Sequence, residues 1–365
     1  MISKIDKYLE DLVLLPGLSG HEQRISAYMG RVFEEHGFYV QEDVHGNCIA
    51  SLPDQDSALP CLMVFAHMDS LGFFIRHIDD RGFIRVERLG GIPEKVLPST
   101  KVAIVSRDGN LIPGVFGIKQ HHVTPPEEKY VVDKVTNLYI DIGATNRDQV
   151  KALGIDIGSP VVYAPYYQKL AGTRRLGTTM DNRSGCAALL ILAKMLSKSP
   201  PPQRVVLVGT VWEEFNLRGA MMAARTVKPT WSIGIDGGAA GDTPDFNDYN
   251  SVTLGGGPIL TLYNFHGRGT LNGMIPHPAM VRLMETAAED AGIIFQRNAV
   301  VGGLTDASYL QLEGKGIPSV DVGIPRRYSH SPSEALDLCD VETLCRWVYA
   351  ACQTDLTAFD FSRSF

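Results

Sequence analysis

The chain has 365 residues, 44% of them hydrophobic, with 34 Lys+Arg against 41 Asp+Glu and a formal net charge of −7. That is apolar material for about two domains, or for one large α/β unit carrying an insertion. No Lys/Arg-rich run exceeds short pairs such as Arg174-Arg175 and Arg326-Arg327, which excludes nucleic acid as a main partner.

The start, Met1 to Tyr8, mixes charged and apolar residues at helical spacing and lacks the apolar stretch of a signal peptide. No segment approaches the roughly 18 uncharged apolar residues of a membrane span, so no membrane partner and a cytoplasmic location are expected. The six cysteines (Cys48, Cys61, Cys186, Cys339, Cys345, Cys352) form no CxxC pair and read as reduced, buried small hydrophobes.

Apolar residues recurring at three and four predict helices over 4–15 and 22–36, separated by the breaker cluster Pro16-Gly17-Leu18-Ser19-Gly20. Segments 38–44 and 47–52 read as a hairpin around His45-Gly46. The continuous apolar run Cys61-Leu62-Met63-Val64-Phe65-Ala66 predicts a strand covered on both faces, and it ends in His67-Met68-Asp69. From 71 to 164 the texture changes to short alternating segments (73–78, 83–88, 101–106, 111–115, 138–142, 160–163) punctuated by Gly, Pro and Asp. This is the pattern of a small β-rich module inserted into a larger α/β domain formed by 1–70 and 165–365. Within it, Lys119 to Glu128 is a polar loop, and His121-His122 fits solvent exposure better than metal binding.

The α/β rhythm returns after Asp181. A helix over 183–198 ends at Pro200-Pro201-Pro202, and a second buried strand over 205–211 runs into Trp212-Glu213-Glu214. A helix over 217–225 precedes a third strand, 231–236, that ends in Asp236. Helices over 277–291 and 306–313 follow, then a fourth strand over 317–324 that leads through a short loop to His330, and a last helix over 340–352.

Parallel strands would crowd His67, Asp69, Glu213, Glu214, Asp236 and His330, with Asp181, at one rim of one sheet, where open α/β sheets place ligands. Singly, each residue has a plain reading as a cap or a solvated charge. Jointly they place several carboxylates together, and a bound cation resolves the cost of burying them. Imidazole mixed with carboxylate favours zinc, cobalt or manganese over magnesium. Two divalent ions and one hydroxide balance the charges of Asp181, Glu214 and Asp236, while His67 and His330 complete the coordination without changing that balance. Glu213 is left free as the general base of a two-metal hydrolase, and Asp69 stands where it can orient the His67 imidazole.

At this point the chain resembles the M42 family of metallo-aminopeptidases, the tetrahedral aminopeptidases once named as endoglucanase or cellulase homologues. The resemblance runs over nearly the whole length. It is carried by Gly17-Leu18-Ser19-Gly20-His21-Glu22, His67-Met68-Asp69, Gly90-Gly91, Pro125-Pro126-Glu127-Glu128, Asp141-Ile142-Gly143-Ala144 and Met180-Asp181-Asn182-Arg183. Glu213-Glu214, Leu217-Arg218-Gly219-Ala220, Gly241-Asp242-Thr243-Pro244, Thr305-Asp306-Ala307 and Arg327-Tyr328-Ser329-His330-Ser331-Pro332 complete it in order.

The resemblance implies a zinc-peptidase-like α/β fold, a mixed sheet sandwiched by helices, interrupted by a β-rich dimerisation domain. It implies that His67 and Asp236 hold one metal, Glu214 and His330 the other, that Asp181 bridges them and that Glu213 is the base. It also implies peptide substrates and dimers that assemble into a tetrahedral dodecamer, with the loop around His121-His122 reaching toward a neighbouring subunit's site. The chain departs from the family at Trp212, Phe215 and Asn216 around the glutamate pair, and in the longer Gly302-Gly303-Leu304-Thr305-Asp306. Two other readings stand beside this one: a glycosidase using two carboxylates, which needs neither metals nor His67 and His330, and a metal-stabilised binding protein without catalysis.

Overall fold

The computed structural model describes residues 1–362 except 54, 57, 248 and 267–272. Its centre is a twelve-stranded mixed sheet. The four apolar runs lie side by side and parallel in the order Arg204–Thr210, Cys61–His67, Trp231–Ala239, Ser319–Arg327. Every residue of Cys61–His67 is buried, and its side chains divide by alternation. Leu62, Val64 and Ala66 pack into one helical layer with Leu189, Leu344 and Val348, whereas Met63 and Phe65 pack on the other face with Ala223 and Leu310. An unbroken apolar strand is thus the sequence form of a strand between two helical layers.

Helices Ile2–Val13, Gln23–Glu35, Met180–Leu196, Pro278–Ala291 and Leu338–Gln353 build the thicker layer, and Gly219–Val227 with Ala307–Leu310 the thinner one. Antiparallel strands extend the sheet at both sides: Tyr39–Glu42 with Cys48–Ser51 at one, and Glu334–Asp337, Arg174–Gly177 and Tyr167–Lys169 at the other. Ile259–Phe265 branches from Ser319–Arg327 and carries Gln296–Val301 and Gly273–Met274. Apart from the first hairpin, none of these outlying strands is foreshadowed by a continuous apolar run, because most of them are short or carry side chains open to solvent.

Between Gly72 and Tyr163 six strands close into a barrel. It has its own core, in which Phe73 meets Phe116 edge-on at 5.0 Å between ring centres. Gly72 stands where the chain enters the barrel: a Cβ there would lie 2.5 Å from the Val161 carbonyl oxygen, so a side chain is excluded. The polar loop over 119–128 winds into two short 3-10 turns, His121–Val123 and Pro126–Glu128, and leaves Val123 and the following Tyr130 to Val132 exposed.

The expected helix over 306–313 shortens to Ala307–Leu310, and the one over 183–198 begins earlier, at Met180, with non-helical backbone at Asp181 and Asn182. All six cysteines are free, five of them buried. Among the described residues no helix is long and apolar enough to cross a membrane.

The first helix is tied to the sheet by Asp6, which accepts from Arg175 Nε at 2.8 Å and Nη2 at 2.6 Å and from the Tyr167 hydroxyl at 2.6 Å. These donors, the Arg175 hydrogen bonds foremost, hold the Asp6 carboxyl below its ordinary range against the opposing effect of burial. A depressed folded-state value means stability that is present above the unfolded pKa and lost as the pH falls through the acid range. Asp6→Asn is expected to cost about 1–3 kcal/mol at neutral pH, with the difference from wild type shrinking progressively as the pH falls below about 4, as read by chemical denaturation across pH.

Candidate metal centre

The parallel register sets the site. Thr210 pairs with His67 across the sheet, so the turn after Thr210 delivers Glu213 and Glu214 beside the imidazole. Asp236 comes from the next parallel strand, opposite Gly323. Asp181 lies at the entry of helix Met180–Leu196, where its extended backbone (φ −79°, ψ 109°) breaks the first turn. His330 follows strand Ser319–Arg327 with a left-handed backbone, φ 65°. One carboxylate pins the last two: Glu334 accepts the Asp181 N–H at 2.8 Å with one oxygen and the His330 N–H at 2.7 Å with the other.

His67 Nε2 lies 3.1 Å from Asp181 Oδ1, 3.8 Å from Asp236 Oδ1 and 4.0 Å from Glu213 Oε2. His330 Nε2 lies 3.5 Å from Asp181 Oδ2 and 4.0 Å from Glu214 Oε1. Two groups of donor atoms result, His67 with Glu213 and Asp236, and Asp181 with Glu214 and His330, each within 4.8 Å. Asp181 offers one oxygen to each imidazole and so stands between the groups. The donors are the nitrogen and oxygen set of a borderline divalent ion. Glu214 Oε1 is buried without a hydrogen-bond partner, an acceptor that a cation would satisfy.

The charges are strongly coupled. Burial works against a charged His67, but Glu213, Asp181 and Asp236 override it and hold the imidazole well above its usual pKa. His330 is raised to about 10, with burial opposed by Glu214 and Asp181. Burial opposes ionisation of Asp181, yet Arg326 and the two imidazoles hold it well below the usual carboxylate range. Burial together with the neighbouring carboxylates Glu214 and Asp236 pushes Glu213 well up, against the pull of His67, while burial first and Asp181 next bring Glu214 to about 7.

A family model described as M42 glutamyl aminopeptidase matches residues 46–346. SgcX of Escherichia coli (strain K12) is 38% identical over 351 residues, covering 96% of this chain and 94% of its own. The chain belongs to the M42 peptidase family. Among solved structures it is similar to the aminopeptidase APDkam598 from the archaeon Desulfurococcus kamchatkensis, with a TM-score of 0.90, 31% identity and coverage of 97% of this chain and 96% of that one. It is also similar to the Pyrococcus horikoshii TET1 peptidase, with a TM-score of 0.83, 28% identity and coverage of 95% and 99%.

In this M42 chain the Asp69 carboxylate does more than face His67. It lies 3.5 Å from His67 Nδ1, but that nitrogen makes its closer contact, 3.1 Å, with the Asp69 backbone carbonyl. The carboxylate accepts the Glu213 and Glu214 backbone N–H groups at 3.0 Å each and the Ser19 hydroxyl at 2.6 Å. Glu22 extends the clamp, accepting the N–H groups of Gly20 at 2.8 Å and Trp212 at 3.3 Å. Two buried carboxylates therefore hold three successive amides of the turn that presents the glutamate pair.

Glu22, Glu334 and Arg326 have no role legible in the sequence, nor do Asp306 and Asp321, whose buried carboxyls burial pushes to about 7. A lone acid inside the apolar strand 317–324 was the available signal for Asp321. Glu334, four residues past His330, carried none beyond its neighbourhood. His121 and His122 stand outside both donor groups, with exposed side chains.

A cavity of about 740 Å³ opens onto the donor atoms. Its walls include Phe246, Tyr249, Val300, Leu304 and Tyr309. The Phe246 and Tyr249 rings stack at 4.5 Å, and the Tyr249 hydroxyl fixes that wall by donating to the Val301 carbonyl at 2.7 Å. Asp69→Asn keeps the shape but turns an amide toward the clamped N–H groups. It is expected to lower kcat/KM and metal retention about 10–100-fold, measured by kinetics and metal analysis of the purified variant.

Proposed function

We propose that the chain is a dinuclear metallo-aminopeptidase that removes N-terminal residues from peptides. The observation that carries this reading is the placement of Asp181, whose two oxygens face His67 on one side and His330 on the other. His67 and Asp236 would hold one divalent ion, Glu214 and His330 a second, with Asp181 shared; zinc or cobalt suits this donor set best, and manganese is compatible. When bound, such ions polarise a peptide carbonyl and make water a nucleophile at neutral pH.

Glu213 lines the first group, yet Asp181 can complete that group in its stead, which frees the Glu213 carboxylate for proton transfer. It takes a proton from the attacking water and returns it to the departing amine. Asp69 and Glu22 fix the backbone that aims Glu213 and Glu214. The cationic α-amine of a peptide is attracted to the carboxylates that line the cavity, which favours cleavage at the first peptide bond.

The barrel module over 71–164 serves self-association in this reading, first into dimers and then into a tetrahedral dodecamer. Support comes from the apolar side chains it exposes around Tyr130 and from TET1, described as assembling into a tetrahedron or a large octahedral shell. A cytoplasmic location and the absence of nucleic-acid or membrane partners complete the proposal.

Glu213→Gln should retain metal and lose about 10²–10⁴-fold in turnover of aminoacyl-p-nitroanilides; near-normal activity would remove Glu213 from the base role. Chelation by EDTA should abolish wild-type activity, and hydrolysis of cellulose surviving EDTA would favour the glycosidase reading. Light scattering should give a mass near that of twelve 39.9 kDa chains.

A further inference from the structure

The first donor group already faces a cation that belongs to the chain. Arg326 is 4% exposed, and its Nη1 lies 2.7 Å from Asp181 Oδ1 while Nη2 lies 3.6 Å from Asp236 Oδ1. These are the same two oxygens that approach His67 Nε2. Arg326 sits on the parallel strand beside Asp236, and the neighbouring strand makes room for it: a Cβ on Gly237 would fall 1.8 Å from the guanidinium carbon. The pairing with Asp181 is close but off-line, and Nε and Nη1 have no aligned hydrogen-bond acceptor. The guanidinium is therefore held by charge in a tailored slot rather than by a full set of hydrogen bonds.

The second donor group is not shared in this way. His330 Nε2 lies 3.5 Å from Asp181 Oδ2 and 4.0 Å from Glu214 Oε1, whereas the guanidinium pairs with the other Asp181 oxygen, Oδ1. One divalent ion plus the Arg326 charge balances Asp181, Glu214 and Asp236. A second divalent ion has to share Asp181 Oδ1 and Asp236 Oδ1 with a fixed positive charge a few ångströms away, in a buried site where such repulsion is poorly screened.

We propose that Arg326 is an internal counter-cation that makes the two metal positions unequal. The Asp181–Glu214–His330 position takes the first, tightly held divalent ion. The His67–Asp236 position fills second and more weakly, at the expense of the Arg326 ion pairs. This rests on the metallopeptidase reading and adds to it an order of loading, so that the amount of free metal decides how much of the enzyme is dinuclear.

The test is calorimetric titration of the full-length chain, stripped with chelator, with zinc or cobalt. Wild type should show one tight and one weak event, with affinities at least about tenfold apart. His330→Ala should remove the tight event and His67→Ala the weak one. Arg326→Leu should strengthen the weak event about tenfold or more, and Arg326→Lys, which keeps the charge, should restore much of the difference; circular dichroism and melting confirm that each variant is folded.

Two equal events in wild type, or an unchanged weak event in folded Arg326→Leu, overturn the proposal. If the leucine variant does not fold, the wild-type titration with the two histidine variants still decides. No binding of any ion by wild type would instead defeat the metallopeptidase reading itself, a result distinguishable from equal binding at two positions.

Discussion

The fold is organised around the cost of burying negative charge. Asp69, Asp181, Glu213, Asp306, Asp321 and Glu334 are all buried, most of them near one sheet rim. An isolated buried carboxylate is prohibitively expensive, so each must be hydrogen-bonded, paired with a cation or neutral. The structure uses all three solutions in a graded way. Asp69 and Glu334 are surrounded by N–H and hydroxyl donors. Asp181 is paired with Arg326 and two imidazoles. Asp306 and Asp321 keep one oxygen bonded and the other without a partner, which matches carboxyls whose proton affinity burial has raised.

Holding such a cluster requires backbone that ordinary strands and helices do not supply. Positive φ values at Trp212, Asn216 and Leu217 surround the glutamate pair, and at Tyr328 and His330 they surround the last imidazole. Strained conformations of this kind persist where the surroundings over-determine them. Here those surroundings include carboxylates: Glu22 and Asp69 hold the 212–214 turn, and Glu334 holds both His330 and Asp181 by their amides. Charge that is costly to bury thus serves as the acceptor that keeps irregular backbone in place.

The legible part of the sequence is the part with the strongest physical signature. Four predominantly apolar runs mark strands buried on both faces, and the polar residues that follow them point to the rim because parallel strands share a direction. His67, Glu213, Glu214 and Asp236 follow from that rule, and His330 follows from its place after the fourth run. The supporting residues are legible only in three dimensions. Glu334 lies on a short strand with no apolar run to announce it, and Arg326 reads in the sequence only as half of a short basic pair, although the sheet buries it against Asp181. Outlying strands such as Gln296–Val301 are hidden for the complementary reason: with one side open to solvent, their composition does not distinguish them from loops.

The two imidazoles show how the barrel bears on the geometry of the site. A carbonyl oxygen can only accept, so the His67 contact with the Asp69 carbonyl and the 2.8 Å contact of His330 Nδ1 with the Gly91 carbonyl both require a proton on Nδ1. Each ring then presents Nε2 to the carboxylates, the orientation a metal ligand needs. For His67 the orienting carbonyl is two residues away on the same turn. For His330 it comes from Gly91, a residue between two strands of the barrel and 239 positions distant in the chain. A Cβ on Gly91 would lie 3.2 Å from His330 Nδ1, so the close approach depends on glycine at that position. The seat of the barrel on the sheet therefore fixes the orientation of one imidazole directly, and displacement of the barrel would reach the second donor group before the first.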